Sequence, residues 1–181
     1  MKRFFSPLVV VLVCLSGCAS VQMQPTTLIQ SPNPEMAVVN FVRPRVFFGD
    51  GISIDIWDGQ NYIGALRAGT LIQHEVEPGK RLFLANAENW SYASADLQAG
   101  KEYFIKANIF PGVMRGRVAL VPVELSDPRL TELMSLKPTV ASEKDRKEMS
   151  DKKAVAAKEA VANFESGKVS SFARISPEDG R

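Results

Sequence analysis

From Met36 onward the chain breaks into short apolar runs separated by turn residues. Ile52, Ile54 and Ile56 alternate with Ser53, Asp55 and Trp57, the period of a strand with one buried face. Asp58-Gly59 then supplies a hairpin turn, and Tyr62 to Arg67 forms the returning strand. The same texture predicts strands over 37–43, 70–76, 81–86, 92–97, 102–109 and 117–123, with turns at Pro78-Gly79-Lys80, Ala99-Gly100-Lys101 and Pro111-Gly112. Pro122 lacks the N–H that a central strand must donate, so the last run is expected at a sheet edge. Close strand spacing without intervening helices predicts an all-β domain over 36–125, an antiparallel sandwich.

After Leu125 the period lengthens, and 126–166 reads as a helical extension. Asp127 is placed to cap a short helix with Pro128 in its first turn and Leu130, Leu133 and Met134 on one face; Pro138 should end it. Ser142, with Asp145 three residues on, predicts the start of a second helix running to Ser166, with Gly167 as its stop. Glu143 and Lys147, and Glu148 and Lys152, stand at favourable spacing on it. Its apolar stripe (Met149, Ala156, Ala160, Phe164) is narrow, which predicts a helix that is solvated or awaits a partner, such as another envelope protein docking on 126–166. Residues 167–181, ending SPEDGR, are expected to be disordered. At the other end, residues 19–35 are polar with three prolines and read as an extended tether.

The start of the chain changes the picture. Lys2 and Arg3 precede an apolar stretch from Phe4 to Leu15. As a helix it would span about 18 Å against about 30 Å of bilayer hydrocarbon, too short to cross but suited to a signal peptide over 1–17. Leu15-Ser16-Gly17-Cys18 resembles the lipobox of bacterial lipoproteins. That resemblance implies that Cys18 is acylated and becomes the first mature residue, so that 18–35 is a lipidated cysteine and its tether. Cys14 cannot take this role, because Leu12 and Val13 are too bulky for the positions before a cut. Each buried CH₂ contributes about 0.8 kcal/mol and a single chain holds only reversibly, which is why several acyl chains make a durable anchor. Ala19 stands where an aspartate would signal the inner membrane. The expected location is therefore the periplasmic face of a bacterial outer membrane, with the membrane as partner through Cys18.

Charge and chemistry narrow the function classes. Of the 22 Lys and Arg residues two lie in the leader, leaving 20 against 20 Asp and Glu, so nothing recommends nucleic acid as a partner. With Cys14 removed and Cys18 acylated, no disulfide remains. The single histidine, His74, lies between Ile72 and Val76 on the apolar face of its strand and reads as a satisfied core or edge residue. Asp55, Asp58 and Gly59 suggest a calcium loop, but Ile54 and Ile56 would then stand where oxygen ligands belong. No catalytic residue, metal or cofactor is expected. Trp57, Tyr62, Trp90 and Tyr92, with Asn86 and Asn89 nearby, could form a ligand surface for sugar or peptide; the same aromatics could instead close the mouth of the core.

The segments AVVNFVRP, ISIDIWDGQNYIGAL, VEPGKRLF and LQAGKEYFIKA together resemble a family of bacterial lipoprotein domains of unknown function, DUF2846. Asp58, Gly59, Gly64, Pro78, Gly79, Lys80, Gly100, Lys101 and Tyr103 occupy the places that carry the likeness, which covers about half the chain. The resemblance implies an immunoglobulin- or transthyretin-like sandwich and no established activity. The expected function is a non-enzymatic, lipid-anchored envelope accessory or binding module. The alternatives are a small-ligand or glycan binder, and the tether of a secretion machine.

Overall fold

Every residue of the strand Ala37–Arg43 (β2) is buried, on both of its faces. That one observation implies a layer on each side of it. The computed structural model, which describes residues 21–30, 32–114 and 116–181, supplies them; Cys18 and the leader lie outside the described residues.

In chain order the remaining strands are Met23–Pro25 (β1), Ile54–Asp58 (β3), Asn61–Leu66 (β4), Thr70–Val76 (β5), Gly79–Asn86 (β6), Trp90–Leu97 (β7), Glu102–Pro111 (β8), Gly116–Pro122 (β9), Lys137–Ala141 (β10) and Ala173–Ile175 (β11). Leu130–Met134 (α1), Glu143–Lys152 (α2) and Ala154–Glu165 (α3) are helical. One sheet runs β1-β10-β5-β2-β8-β9 and the other β11-β7-β6-β3-β4. Both are mixed, where antiparallel pairing was expected: β2 runs parallel to β8, β10 to β5 and β11 to β7. Hairpins dictate antiparallel neighbours only locally. Between β2 and β8 the chain changes sheets repeatedly, so no turn sets their relative direction.

The sheets face each other across a core of Val39, Phe41, Ile54, Ile56, Ile72, Phe83 and Ile105. Phe41 and Phe83 meet edge to face at 5.3 Å and join the layers. The outer faces are covered as well. Over the first sheet, Leu133 of α1 and Leu28 close upon Val42, Leu71, Phe104 and Val123. Over the second, α2 and α3 close upon Trp57, Tyr62, Leu84 and Tyr92.

Several expectations are corrected by this covering. Residues 21–35 are not a free tether. Val21 is buried, Met23 to Pro25 pair with β10, and Ile29 N–H donates to Gln73 Oε1 at 2.7 Å. Residues 167–181 are not disordered: β11 adds to β7, and the terminal Arg181 guanidinium holds Glu102 at 2.7 Å. Pro138 falls inside β10 rather than merely ending a helix. Ser142 caps as expected, accepting from the Asp145 N–H at 3.0 Å, but the helix it opens breaks at Lys153. The break shifts the buried stripe from Ala156 to Ala157, with Ala160 and Phe164 retained.

β9 lies at a sheet edge, as Pro122 required, and its free edge is closed by side chains. Val118 N–H donates to Asn89 Oδ1 at 2.7 Å, Asn89 Nδ2 returns to the Val118 carbonyl at 3.0 Å, and Leu120 N–H donates to Ser91 Oγ at 2.9 Å. An edge whose donors are already used offers little to an aggregating strand.

All three tyrosines of the chain, Tyr62, Tyr92 and Tyr103, are held above the usual phenol range, in each case chiefly by burial. The neighbouring Asp55 carboxylate pushes Tyr62 further up, whereas the Gln98 N–H bonded to the Tyr103 oxygen opposes the shift there. A phenol whose folded pKa is raised stabilises the fold fully below its unfolded value and progressively less above it. Stability should therefore fall as pH rises past about 10. Absorbance at alkaline pH should show tyrosine ionisation appearing together with unfolding; free titration of a folded protein near that pH would contradict the burial.

Candidate functional site

The loop between β2 and β3, the β6–β7 turn and the β8–β9 hairpin gather at one end of the two sheets. The register places them there: Ile54 opposes Leu66, Asp55 opposes Asn86, and Pro111 opposes Gly116. Between the first two and the break in the helical cover lies an open pocket of about 510 Å³. Phe48 and Ile52 form its apolar wall, and Ser53, Asp55, Asn86 and Lys153 supply its polar groups.

Each group is positioned by a different element. Asp55 stands on the outer face of β3, where its Oδ1 accepts from the Tyr62 hydroxyl at 3.2 Å and its Oδ2 is paired with Lys153 Nζ. Lys153 reaches it because α2 ends at that residue, and α2 is tied to β4 through the Tyr62 N–H to Ser150 Oγ bond at 3.0 Å. Glu88, in the β6–β7 turn, accepts from the backbone N–H groups of Val113 and Met114 at 2.8 and 3.1 Å. Gly112 makes room for it, since a Cβ there would lie 2.3 Å from a Glu88 oxygen.

The loop from 44 to 53 is braced from below by Arg43. This guanidinium is almost completely buried and donates to the carbonyls of Gly49 and Ile52 at 2.5 Å and of Leu66 at 3.2 Å. Burial lowers its pKa from the ordinary arginine value, with the Asp50 carboxylate acting against that shift. The loop is also interlocked with the β8–β9 hairpin: a Cβ on Gly49 would sit 2.7 Å from Ile109 Cγ2, and one on Gly116 2.5 Å from Ile52 Cδ1. Gly49 has φ +86°, a conformation open to glycine at little cost.

The four aromatics expected as a ligand surface are brought together, but beneath the helices. Trp57 lies 5.0 Å from Tyr62 and 6.2 Å from Trp90, while Tyr92 stacks on Phe164 of α3 at 5.8 Å. Trp57 is fully buried and its indole N–H has no hydrogen-bond partner among the described residues, so packing holds its side chain there. Of the amides, Asn89 is spent on β9 and only Asn86 reaches the pocket. His74 lies toward the other end, its Nε2 3.4 Å from an Asp58 oxygen that also receives Arg81 at 3.6 Å. It bridges the two sheets, in keeping with a satisfied residue. Sequence reasoning missed the pocket; the one signal it could have used is Phe47-Phe48, an aromatic pair beside Gly49-Asp50-Gly51 and outside any alternating run.

The pocket offers a carboxylate already neutralised by an ammonium, an amide and a hydroxyl beside an aromatic wall. Such a set orients a polar ligand by hydrogen bonds and covers its apolar face. Among the described residues no helix is long and apolar enough to cross a membrane. Comparison with family models, curated proteins and solved structures returned no match to this chain.

Proposed function

We infer that this chain is a non-enzymatic, lipid-anchored envelope protein that binds another envelope component in the pocket between Phe48 and Lys153. The anchor is Cys18, on the strength of Leu15-Ser16-Gly17-Cys18 after a short apolar stretch, and the face it occupies is the periplasmic side of an outer membrane. The pocket carries the binding part of the reading: it is open, mixed in polarity and framed by braced loops. The helical extension is a weaker docking candidate, because its apolar stripe is already spent on Trp57, Tyr62 and Tyr92. Two sheets closed over a common core support an immunoglobulin- or transthyretin-like sandwich related to DUF2846 domains. A small ligand or glycan would use the same pocket, whose volume falls within the range of about 300–1,000 Å³ that takes small molecules.

Two measurements test this. Cys18→Ser should abolish acyl-chain mass on the purified protein and make its retention in the outer-membrane fraction sensitive to high salt. A photo-crosslinking residue at Phe48 should capture an envelope component in cells, while the same residue at Val155 on α3 should not. Capture at Val155 alone would move the binding surface to the helices.

A further inference from the structure

Six apolar side chains crown the end of the sheets that holds the pocket, and all are exposed: Val46, Phe47 and Phe48 from one loop, Phe110, Val113 and Met114 from the other. Phe47 is fully accessible, and Val113 and Met114 are 93% and 90% accessible. A solitary exposed apolar residue is ordinary, but two loop tips built of them side by side are not. Nor are these loops loosely held. Buried Arg43 fixes the carbonyls of Gly49 and Ile52, Glu88 fixes the amides of Val113 and Met114, and Gly49 and Gly116 interlock the two bases. The fold spends a buried cation on presenting these side chains outward.

The charge around the crown is specific too. Arg67, Arg117 and Lys137 are exposed at this end, and Arg45 lies over Gly69 with most of its side chain in solvent. The carboxylates here are engaged: Asp50 with Arg45, Asp55 with Lys153, and Glu88 with the hairpin amides. Apolar tips that project beyond the pocket, with cations exposed at the same end, match an interface with acyl chains beneath anionic headgroups. A protein partner would more commonly be met by aromatic anchors seated in pockets.

We propose that the crown of Val46 to Phe48 and Phe110 to Met114 docks into an anionic lipid surface, independently of any acyl chain on Cys18. The tips enter the headgroup–acyl boundary and the basic residues pair with lipid phosphates.

The test uses the full chain carrying Cys18→Ser, so that no acyl chain contributes. Three variants place a reporter at the crown (Phe47→Trp, Met114→Trp) or away from it (Val155→Trp), and circular dichroism checks that each is folded. Vesicles are phosphatidylethanolamine with one quarter phosphatidylglycerol, with bromine on the acyl chains near the headgroup. The crown reporters should shift to the blue and be quenched severalfold more than the parent chain or the Val155 reporter. Most of that quenching should be lost in phosphatidylcholine vesicles, at high salt, or with Arg45→Gln and Arg117→Gln together. Unquenched crown reporters would overturn the proposal. Equal quenching at Val155 would overturn it as well, since the apolar leader would then be holding the whole chain at the surface.

Discussion

Ending the chain after Ala141 should unfold it rather than release a free-standing pair of sheets. The truncation removes α2, α3 and β11 and leaves Trp57, Tyr62, Leu84 and Tyr92 facing water. Each such side chain contributes about 1.5–3 kcal/mol on burial. Together they amount to about 6–12 kcal/mol, against a total stability of about 5–15 kcal/mol for an ordinary domain. Loss of β11 also bares the edge of β7. The expected outcome is insoluble protein or a soluble fraction without a cooperative unfolding transition by circular dichroism. A truncated chain that melts sharply near the full-length midpoint would show that the helices add nothing to the fold. Removing only 176–181 is a milder test: it costs the Arg181–Glu102 pair and the contact of Gly180 with Tyr103, and the transition should survive at a lower midpoint.

Arg43→Met should be the most damaging single substitution around the site. The methionine fills part of the volume but leaves the carbonyls of Gly49, Ile52 and Leu66 without their donor. Orphaned acceptors of this kind cost about 1–3 kcal/mol each, and the loop can rescue some of them by opening to water, so a net loss of about 3–5 kcal/mol is expected. The urea midpoint should fall while the slope stays constant, and proteases should nick residues 44–53 well before the sheets unfold. Arg43→Lys should recover little, because one ammonium cannot reproduce a planar fork that spans three carbonyls. A midpoint unchanged by Arg43→Met would mean the loop is held by its interlock with Ile109 alone.

How much of this was legible depends on whether the relevant physics is local. The strands β2 to β9 are written in alternation and turn residues, and Ile54 and Ile56 point inward as their period demands. Trp57 does stand on the opposite face from them, yet that face is dry. Its cover is an alanine stripe about 100 residues downstream, and alternation carries no information about what lies above a sheet. The strands missed, β1, β10 and β11, have three to five residues, two with a proline inside or at the end, and none is long enough to show a period. The pocket shares this difficulty, since Lys153 looks like one more cation in a charged helix until the break turns it toward Asp55.

The burial of Val21 has a consequence for how an anchored molecule would stand. Only three peptide steps separate it from Cys18, a reach of about 10 Å at full extension. Such a leash gives almost no stand-off. A lipid on Cys18 would hold the seam between the first strand and the helices close to the headgroups and leave lateral diffusion as the main translational freedom. Partners would then be met by gliding in two dimensions.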